Sequence, residues 1–232
     1  RNPDRFSMEG ESRELSVLFS DVRGFTTISE GLEPRQLATL MNEFLTPLTQ
    51  VIHRQRGTID KYMGDAIMAF WGAPLADAEH ARHAVLAGLE MQARMKALEP
   101  QFQARGWPAL SVGVGVNTGR VSVGNMGSQL RVAYTVMGNV VNTASRLEGL
   151  TKQYGVGMIV GEDTRAACPE VVFRELDRVR PKGKNEPLAI YEAIGLADQV
   201  DKARQHELSL WHEALKRYRA QQWDLAELQL IN

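Results

Sequence analysis

Two aspartates stand at the ends of predicted strands, where carboxylates are well placed to bind a metal ion. Asp21 follows a predicted buried strand over residues 14–20, and Asp65 lies in the turn of a predicted hairpin over residues 58–72. If the strand and the hairpin lie side by side, the two carboxylates meet and repel each other unless a proton or a cation bridges them. Oxygen ligands of this kind suit Mg²⁺, which binds one or two carboxylates plus substrate phosphates. Taken alone, each aspartate more often caps a turn.

A second group of polar residues surrounds a predicted helix over residues 138–154. Asn142 and Arg146 are four residues apart and share one helical face, and Thr135 precedes the helix. Arginine suits phosphate charge, and asparagine can hydrogen-bond to a sugar or phosphate oxygen. The alternative interpretation is a solvated polar face.

Lysines accompany two of the predicted turns. Lys61 lies four residues before Asp65, where the simplest interpretation is an exposed ion pair worth at most about 1 kcal/mol. Lys182 and Lys184 flank Gly183 in a later turn, where they either contact phosphate or are simply solvated. Neither set of lysines is informative without the rest of the chain.

Composition excludes several classes of protein. The chain has 232 residues, of which 44% are hydrophobic and 24% are charged, as in an ordinary globular protein. A net charge of −1 and a pI near 6.6 argue against a nucleic-acid-binding protein, which would usually be basic. The single cysteine, Cys168, excludes an internal disulfide and fits a reducing compartment. The sequence contains no membrane-spanning run and begins at Arg1 without a signal-peptide pattern, which is compatible with a piece of a longer protein.

Hydrophobic periodicity predicts an α+β fold. Apolar residues recur at helical spacing over residues 34–57, 77–104 and 138–154. Further strands are predicted at residues 110–116, 121–124, 158–160, 171–173 and 188–191, with a turn at 117–120 and a loop over 125–132. The core order β-α-β-β-α-β is ferredoxin-like, with a mixed, mainly antiparallel sheet and helices packed on it.

Three regions follow from this pattern. Residues 1–13 form a polar lead-in linker, residues 14–196 a globular domain and residues 197–232 a helical C-terminal extension. Residues 211–226 of the extension resemble the opening of a tetratricopeptide-like helical pair. A helix that packs back on the globular domain is an equally good interpretation.

Three long segments carry most of the polar residues described above. They are residues 19–26 (FSDVRGFT), 60–65 (DKYMGD) and 134–147 (YTVMGNVVNTASRL), and a PKGK turn follows at 181–184. Together they resemble the signature segments of class III nucleotidyl cyclases, in the right order and spacing over about residues 12–196. The resemblance implies that the globular domain is a cyclase catalytic domain.

The resemblance gives the acidic residues a role. It implies that Asp21 and Asp65 bind two Mg²⁺ or Mn²⁺ ions per active site, with the Val22 carbonyl as a further ligand. It also implies that the 3′-hydroxyl of ATP attacks the α-phosphorus in line, giving 3′,5′-cyclic AMP and pyrophosphate. The amides of Phe25 and Thr26, at a helix start, would receive phosphate oxygens.

The same resemblance gives roles to the later polar residues. Arg146 would neutralise charge that grows on the α-phosphate, as arginines do in other phosphoryl transfers. Asn142 would orient the ribose. One of Lys182 and Lys184 would contact the terminal phosphates.

Lys61 and Thr135 match the family's base-reading pair, in a form typical of a largely bacterial branch. Adenine N1 accepts a hydrogen bond and its N6 amine donates one, which matches a lysine ammonium and a threonine oxygen. Guanine presents N1–H and a carbonyl, and guanylate cyclases of the family tend to carry Glu at the lysine position. The pair therefore favours ATP over GTP.

The resemblance also implies a dimer. In this family the metal aspartates come from one subunit, and the base-reading, ribose and arginine residues come from the other. Because this chain carries the complete set, a homodimer with two equivalent shared sites is expected. The expected location is the cytoplasm, either free or tethered to the cytoplasmic side of a membrane by a region outside this sequence.

The sequence argues against three alternatives to an adenylate cyclase. A guanylate cyclase is opposed by Lys61. A regulatory module that has lost catalysis normally lacks a polar site residue, and none is missing here. A diguanylate cyclase needs a Gly-Gly-acidic turn, which YMGD at residues 62–65 does not supply.

Overall fold

The computed structural model describes residues 10–128, 130–180 and 187–231, and within these ranges the chain has an α+β fold. The strands are β1 (Glu11–Val22), β2 (Thr58–Met63), β3 (Ala66–Trp71), β4 (Val112–Ser128), β5 (Arg131–Met137), β6 (Met158–Gly161), β7 (Val171–Val179) and β8 (Leu188–Leu196). The helices are α1 (Phe25–Glu30), α2 (Pro34–Arg54), α3 (His80–Ala104), α4 (Asn139–Tyr154), α5 (Glu162–Ala166), α6 (Lys202–Arg219) and α7 (Trp223–Ile231).

All eight described strands belong to one sheet. Their order is β2-β3-β1-β4-β6-β8-β7, and β5 pairs with the distal half of β4. The β4–β6 pair is parallel, whereas the other pairs of the described sheet are antiparallel. The predicted α+β fold with a mixed, mainly antiparallel sheet is therefore confirmed. None of the described helices combines the length and apolar character needed to cross a bilayer.

Alternate residues of β1 enter two different cores, because successive side chains of a strand point to opposite faces of the sheet. Leu18 belongs to the core that the sheet forms with α2 and α3. Leu15 and Val17 belong to a second core on the other face, which contains Val136 from β5 and Ala144 from α4. The sheet is thus covered by α2 and α3 on one side and by α4 and the β4–β5 hairpin on the other.

The predictions for residues 117–120 and 125–132 are wrong. Residues 112–128 form one continuous strand, and the hairpin partner of β4 is β5 rather than residues 121–124. Glycines in this region resemble turn signals in the sequence, but in the fold they allow close packing instead. A Cβ on Gly119 would lie 2.8 Å from a Val140 methyl, and a Cβ on Gly127 would lie 2.1 Å from the Arg131 carbonyl oxygen. The short helix α5 was not predicted at all.

The C-terminal extension begins with α6, which lies against β7. Trp211 Nε1 donates a hydrogen bond to the Glu175 carbonyl at 2.6 Å, and the Glu175 amide donates to His212 Nε2 at 3.1 Å. Arg219 forms an ion pair with the Glu175 carboxylate at 2.6 Å, and the Arg174 guanidinium lies 5.4 Å from the Trp211 ring centroid. The described part of the extension therefore contacts the sheet through α6, while the proposed division at residue 196 stays a prediction.

We expect Gly115→Ala to destabilise the protein by at least about 2 kcal/mol, because overpacking against backbone atoms cannot be relieved by a rotamer change. A Cβ at this position would lie 2.2 Å from the Glu148 amide nitrogen and 2.4 Å from the Ala144 carbonyl oxygen. The matched control is Gly149→Ala on α4, where a Cβ meets nothing within 4 Å and should stabilise the helix slightly. Urea unfolding of both variants measures the difference, and equal stabilities would contradict the close packing of α4 on β4.

Candidate active site

Asp21 and Asp65 are brought together by the pairing of β1 with β3. The register places Ser20 opposite Ile67, so the end of β1 lies beside the turn that joins β2 to β3. Asp65 Oδ2 accepts a hydrogen bond from the Val22 amide at 3.0 Å, and the Asp21 and Asp65 carboxyls are themselves within hydrogen-bonding reach. The three residues predicted to hold metal therefore lie together where β1 ends beside the β2–β3 turn.

Negative charge accumulates at this point. Burial raises the pKa of Asp21 to about 7, and hydrogen bonding to Asp65 and the charges of Asp65 and Glu148 act in the same direction. Lys152 on α4 partly opposes this shift. Burial also raises the pKa of Glu148, whose Oε1 has no hydrogen-bonding partner among the described residues. The environment therefore resists ionisation of Asp21 unless positive charge is supplied.

The donor set fits a hard divalent cation that shares its coordination with substrate. The described residues contain no group of three or more His, Cys, Asp or Glu side chains arranged to hold a metal. Two carboxylates and the neighbouring backbone of Val22 are what the chain itself offers, and Mg²⁺ commonly takes its remaining ligands from water and phosphates. The elevated pKa of Asp21 is the observation that favours such an ion here.

Helix α4 carries the second set of predicted residues on its outer face. Val141, Ala144 and Leu147 are buried, and they lie on the face that packs against the sheet. Asn142 and Arg146 are exposed and lie on the opposite face, as expected from a rotation of about 100° per residue. Within one chain, these two side chains point away from the sheet that carries Asp21.

Lys61 and Thr135 lie close together through a residue that the sequence analysis missed. The Thr135 hydroxyl donates a hydrogen bond to Asp60 Oδ2, and Lys61 Nζ lies 3.4 Å from Asp60 Oδ1. This contact is possible because the β4–β5 hairpin curls over the sheet, where the Tyr134 and Phe70 ring centroids are 6.2 Å apart. The signal in the sequence that could have identified Asp60 as a site residue is an acidic residue directly beside Lys61 in a predicted strand.

Phe25 and Thr26 begin the short helix α1. Gly24 precedes them in the left-handed conformation, with φ of 68°, and the helix has no side-chain N-cap. The Phe25 ring packs on Phe44 of α2 at 5.9 Å between centroids, which fixes the start of α1 close to the end of β1. The amides of Phe25 and Thr26 are thus adjacent in the chain to the Asp21–Val22 end of the strand.

Lys182 and Lys184 lie outside the described residues, so their predicted contact with phosphate stays a prediction. Arg180, the last described residue before them, lines a cavity of about 330 Å³ together with Arg146. The described chain before residue 181 therefore ends near Arg146. A larger cavity of about 550 Å³, lined by Glu14, His80 and other residues, contains none of the predicted site residues.

Comparison with known proteins finds matches over most of the chain. Residues 8–191 match the family model described as the adenylate and guanylate cyclase catalytic domain. The chain is 37% identical over 190 residues to adenylate cyclase 1 of Rhizobium meliloti (82% of this chain, 29% of that protein). It is 40% identical over 188 residues to an adenylate cyclase of Anabaena cylindrica (78% of this chain, 37% of that protein). The chain thus spans well under half the length of these curated relatives.

Solved structures give the same fold. The adenylyl cyclase CyaB from P. aeruginosa superposes with a TM-score of 0.76 and 34% identity, covering 84% of this chain and all of that one (100%). The guanylyl cyclase Cya2 superposes with a TM-score of 0.77 and 36% identity, covering 84% of this chain and 98% of that one. Overall similarity therefore does not distinguish the two nucleotide specificities.

We expect Asp21→Asn to stabilise the metal-free protein at high pH. The folded-state pKa of Asp21 is raised from 3.8 to about 7, so its contribution to stability is present below the ordinary pKa and is lost as pH rises through about 7. Asparagine mimics the protonated carboxyl at every pH. In thermal melts without metal, the melting temperature of the variant should equal that of the wild type near pH 4. Near pH 8, this linkage predicts that the variant melts several degrees higher.

Added Mg²⁺ should raise the melting temperature of the wild type near pH 8 more than that of Asp21→Asn. The matched control is Asp198→Asn, an exposed aspartate outside this site. Melting temperatures of wild type and Asp21→Asn that run parallel across the pH range would contradict the electrostatic description of the site.

Proposed function

Because the chain belongs to the family of adenylate and guanylate cyclase catalytic domains, we propose that it converts ATP to 3′,5′-cyclic AMP and pyrophosphate. The observation that carries the proposal is the meeting of Asp21 and Asp65 where β1 ends beside the β2–β3 turn, with the pKa of Asp21 raised to about 7. Two divalent ions, Mg²⁺ or Mn²⁺, would supply the positive charge that the substrate triphosphate and these carboxylates require. The Val22 backbone, which donates to Asp65, lies beside them.

The reaction needs a small number of tasks from the protein. The 3′-hydroxyl of ATP loses its proton as its oxygen forms a bond to the α-phosphorus, the bond from that phosphorus to the bridging oxygen breaks, and pyrophosphate leaves with the electron pair and takes up the proton. Arg146 would neutralise the charge that grows on the α-phosphate, and Asn142 would orient the ribose. The amides of Phe25 and Thr26, together with Lys182 or Lys184, would hold the terminal phosphates.

The choice of ATP over GTP depends on Lys61 and Thr135. Their side chains converge on Asp60, so a donor and an acceptor are presented within one small region. Adenine presents the complementary acceptor and donor, whereas guanine would place a donor against the lysine. A mismatched polar group in a dry site lowers affinity strongly, so this pair favours adenine.

Two observations support a homodimer with shared sites. Asn142 and Arg146 lie on the outer face of α4, away from the sheet that carries Asp21, so one chain cannot readily complete one site. The strands that carry Lys61 and Thr135 also expose large apolar side chains, since Met63 is 43% exposed and Met137 is 58% exposed. A second copy that covers these strands would bring its own Asp21 and Asp65 to Arg146, giving two equivalent sites.

A guanylate cyclase is the second candidate, and the observation in its favour is the similarity to the guanylyl cyclase Cya2. Lys61 opposes it, because a lysine ammonium can only donate and guanine N1 also donates.

The test is a cyclase assay with ATP and with GTP, each in Mg²⁺ and in Mn²⁺. We expect cyclic AMP from ATP, and little cyclic GMP from GTP.

The double variant Lys61→Glu with Thr135→Cys should shift the preference toward GTP by at least about tenfold, because Glu accepts from guanine N1–H. If the variant keeps the wild-type preference for ATP, other contacts read the base. Exclusive turnover of GTP by the wild type would overturn the proposal in favour of the second candidate.

Shared sites can be tested by mixing two inactive variants. Asp21→Ala and Arg146→Ala should each lower turnover by roughly 10³-fold or more while leaving dimers intact. In a heterodimer, one site contains both substitutions and the other contains neither. An equal mixture that exchanges subunits freely should therefore recover about a quarter of the wild-type activity.

The control for this experiment is a mixture of Asp21→Ala with Asp65→Ala, in which every site lacks a metal ligand and activity should stay low. Size-exclusion chromatography with differently tagged chains verifies that heterodimers form. Heterodimers that form and remain inactive would rule out the shared-site arrangement.

A further inference from the structure

A buried carboxylate lies between the two residues proposed to read the base. The Asp60 side chain is 2% exposed, whereas that of its neighbour Lys61 is 51% exposed. One carboxylate oxygen lies 3.4 Å from Lys61 Nζ, and the other accepts a hydrogen bond from the Thr135 hydroxyl. Lys61 and Thr135 belong to strands β2 and β5, which do not pair with each other in the described sheet. Asp60 is thus a polar link between them.

A β-bulge explains how Asp60 reaches this position. Ile59 pairs with Ala69 and Lys61 pairs with Met68, so Asp60 is an extra residue opposite this step of β3. In a regular strand, Asp60 and Lys61 would point to opposite faces of the sheet. A bulge re-aims side chains locally, and here it allows the Asp60 carboxylate to approach its own neighbour.

The hydrogen bond to Asp60 determines what Thr135 can offer to a ligand. A threonine hydroxyl has one proton to donate and two lone pairs that accept, and a carboxylate can only accept. Since the hydroxyl proton points to Asp60, the remaining capacity of Thr135 is that of an acceptor. The ion pair with Lys61 holds the ammonium, which can only donate, on the same carboxylate.

We propose that Asp60 is a positioning residue for nucleotide specificity, which fixes Thr135 as an acceptor and Lys61 as a donor and thereby selects adenine over guanine. The inference rests on the proposed function of Lys61 and Thr135. The adenine N6 amine donates to Thr135, whereas the guanine carbonyl at the same place needs a donor. Without Asp60, the Thr135 hydroxyl is free to rotate and to donate to guanine.

The decisive variant is Asp60→Asn, which has the same shape as aspartate. Its NH₂ group can donate a hydrogen bond to the Thr135 oxygen, so the Thr135 hydroxyl becomes free to donate its proton to a ligand. We expect the ratio of kcat/KM for ATP to that for GTP to fall by at least about tenfold, or about 1.4 kcal/mol. The fall should combine a higher KM for ATP with a gain in GTP turnover. Asp198→Asn, at an exposed site, is the matched control and should keep the wild-type ratio.

A double-mutant cycle separates this role from a structural one. Thr135→Val removes the hydroxyl, so Asp60→Asn should cause no further loss of selectivity in that background. Thr135→Ser keeps the hydroxyl and should keep the dependence on Asp60. Thr135→Val alone should lower selectivity as much as Asp60→Asn, which keeps the inference testable if the Asp60 variant fails to fold.

Three outcomes overturn the inference. They are an unchanged selectivity in Asp60→Asn, an equal loss of activity with both nucleotides, and a selectivity effect of Asp60→Asn that persists in Thr135→Val.

Affinities of ATP and GTP, measured by competition with a fluorescent ATP analogue, distinguish failure of this inference from failure of the proposed function. A protein that binds ATP selectively through Asp60 without forming cyclic AMP would refute the activity alone. A wild type that makes cyclic AMP while Asp60→Asn keeps its selectivity would refute the role of Asp60 alone.

Discussion

The antiparallel pairing of β1 with β3 is the constraint on which the candidate site depends. It forces the end of β1 against the turn after β2 and so places Asp21 and Asp65 in contact. Two acidic groups in a half-buried position repel each other, and the fold tolerates them because backbone pairing and the core beneath the sheet hold both strands in place. The same pairing that makes the site possible therefore also makes it electrostatically unfavourable without a cation.

Helix α4 extends this arrangement because its two faces have different partners. The close approach of Gly115 to Ala144 and Glu148 holds one face on the sheet. That contact brings Glu148 toward the acidic pair and leaves Asn142 and Arg146 on the outside. A helix that faces the sheet on one side and solvent on the other is well suited to complete a site on another molecule.

The hairpin of β4 and β5 plays the corresponding part for the residues proposed to read the base. It curls over the sheet, so Thr135 meets Asp60 although the two strands are not neighbours in the sheet. The bulge at Asp60 gives the link its geometry. Asp65, proposed to bind metal, and Lys61, proposed to read the base, are thus separated by only a few residues of β2 and the following turn, yet they depend on different tertiary contacts.

The sequence by itself determined the α+β fold, the mixed sheet and the family, because periodicity and long motifs are local signals. It also indicated that Asp21 and Asp65 would meet, since a strand end and a hairpin turn are both readable locally. Only the tertiary structure decided that residues 112–128 form one strand, because a glycine that permits close packing resembles a turn glycine in sequence. Likewise, the proposed role of Asp60 depends on a bulge and on a curled hairpin that bring together residues separated by 75 positions. Such contacts are set by packing between distant segments, which no local pattern records.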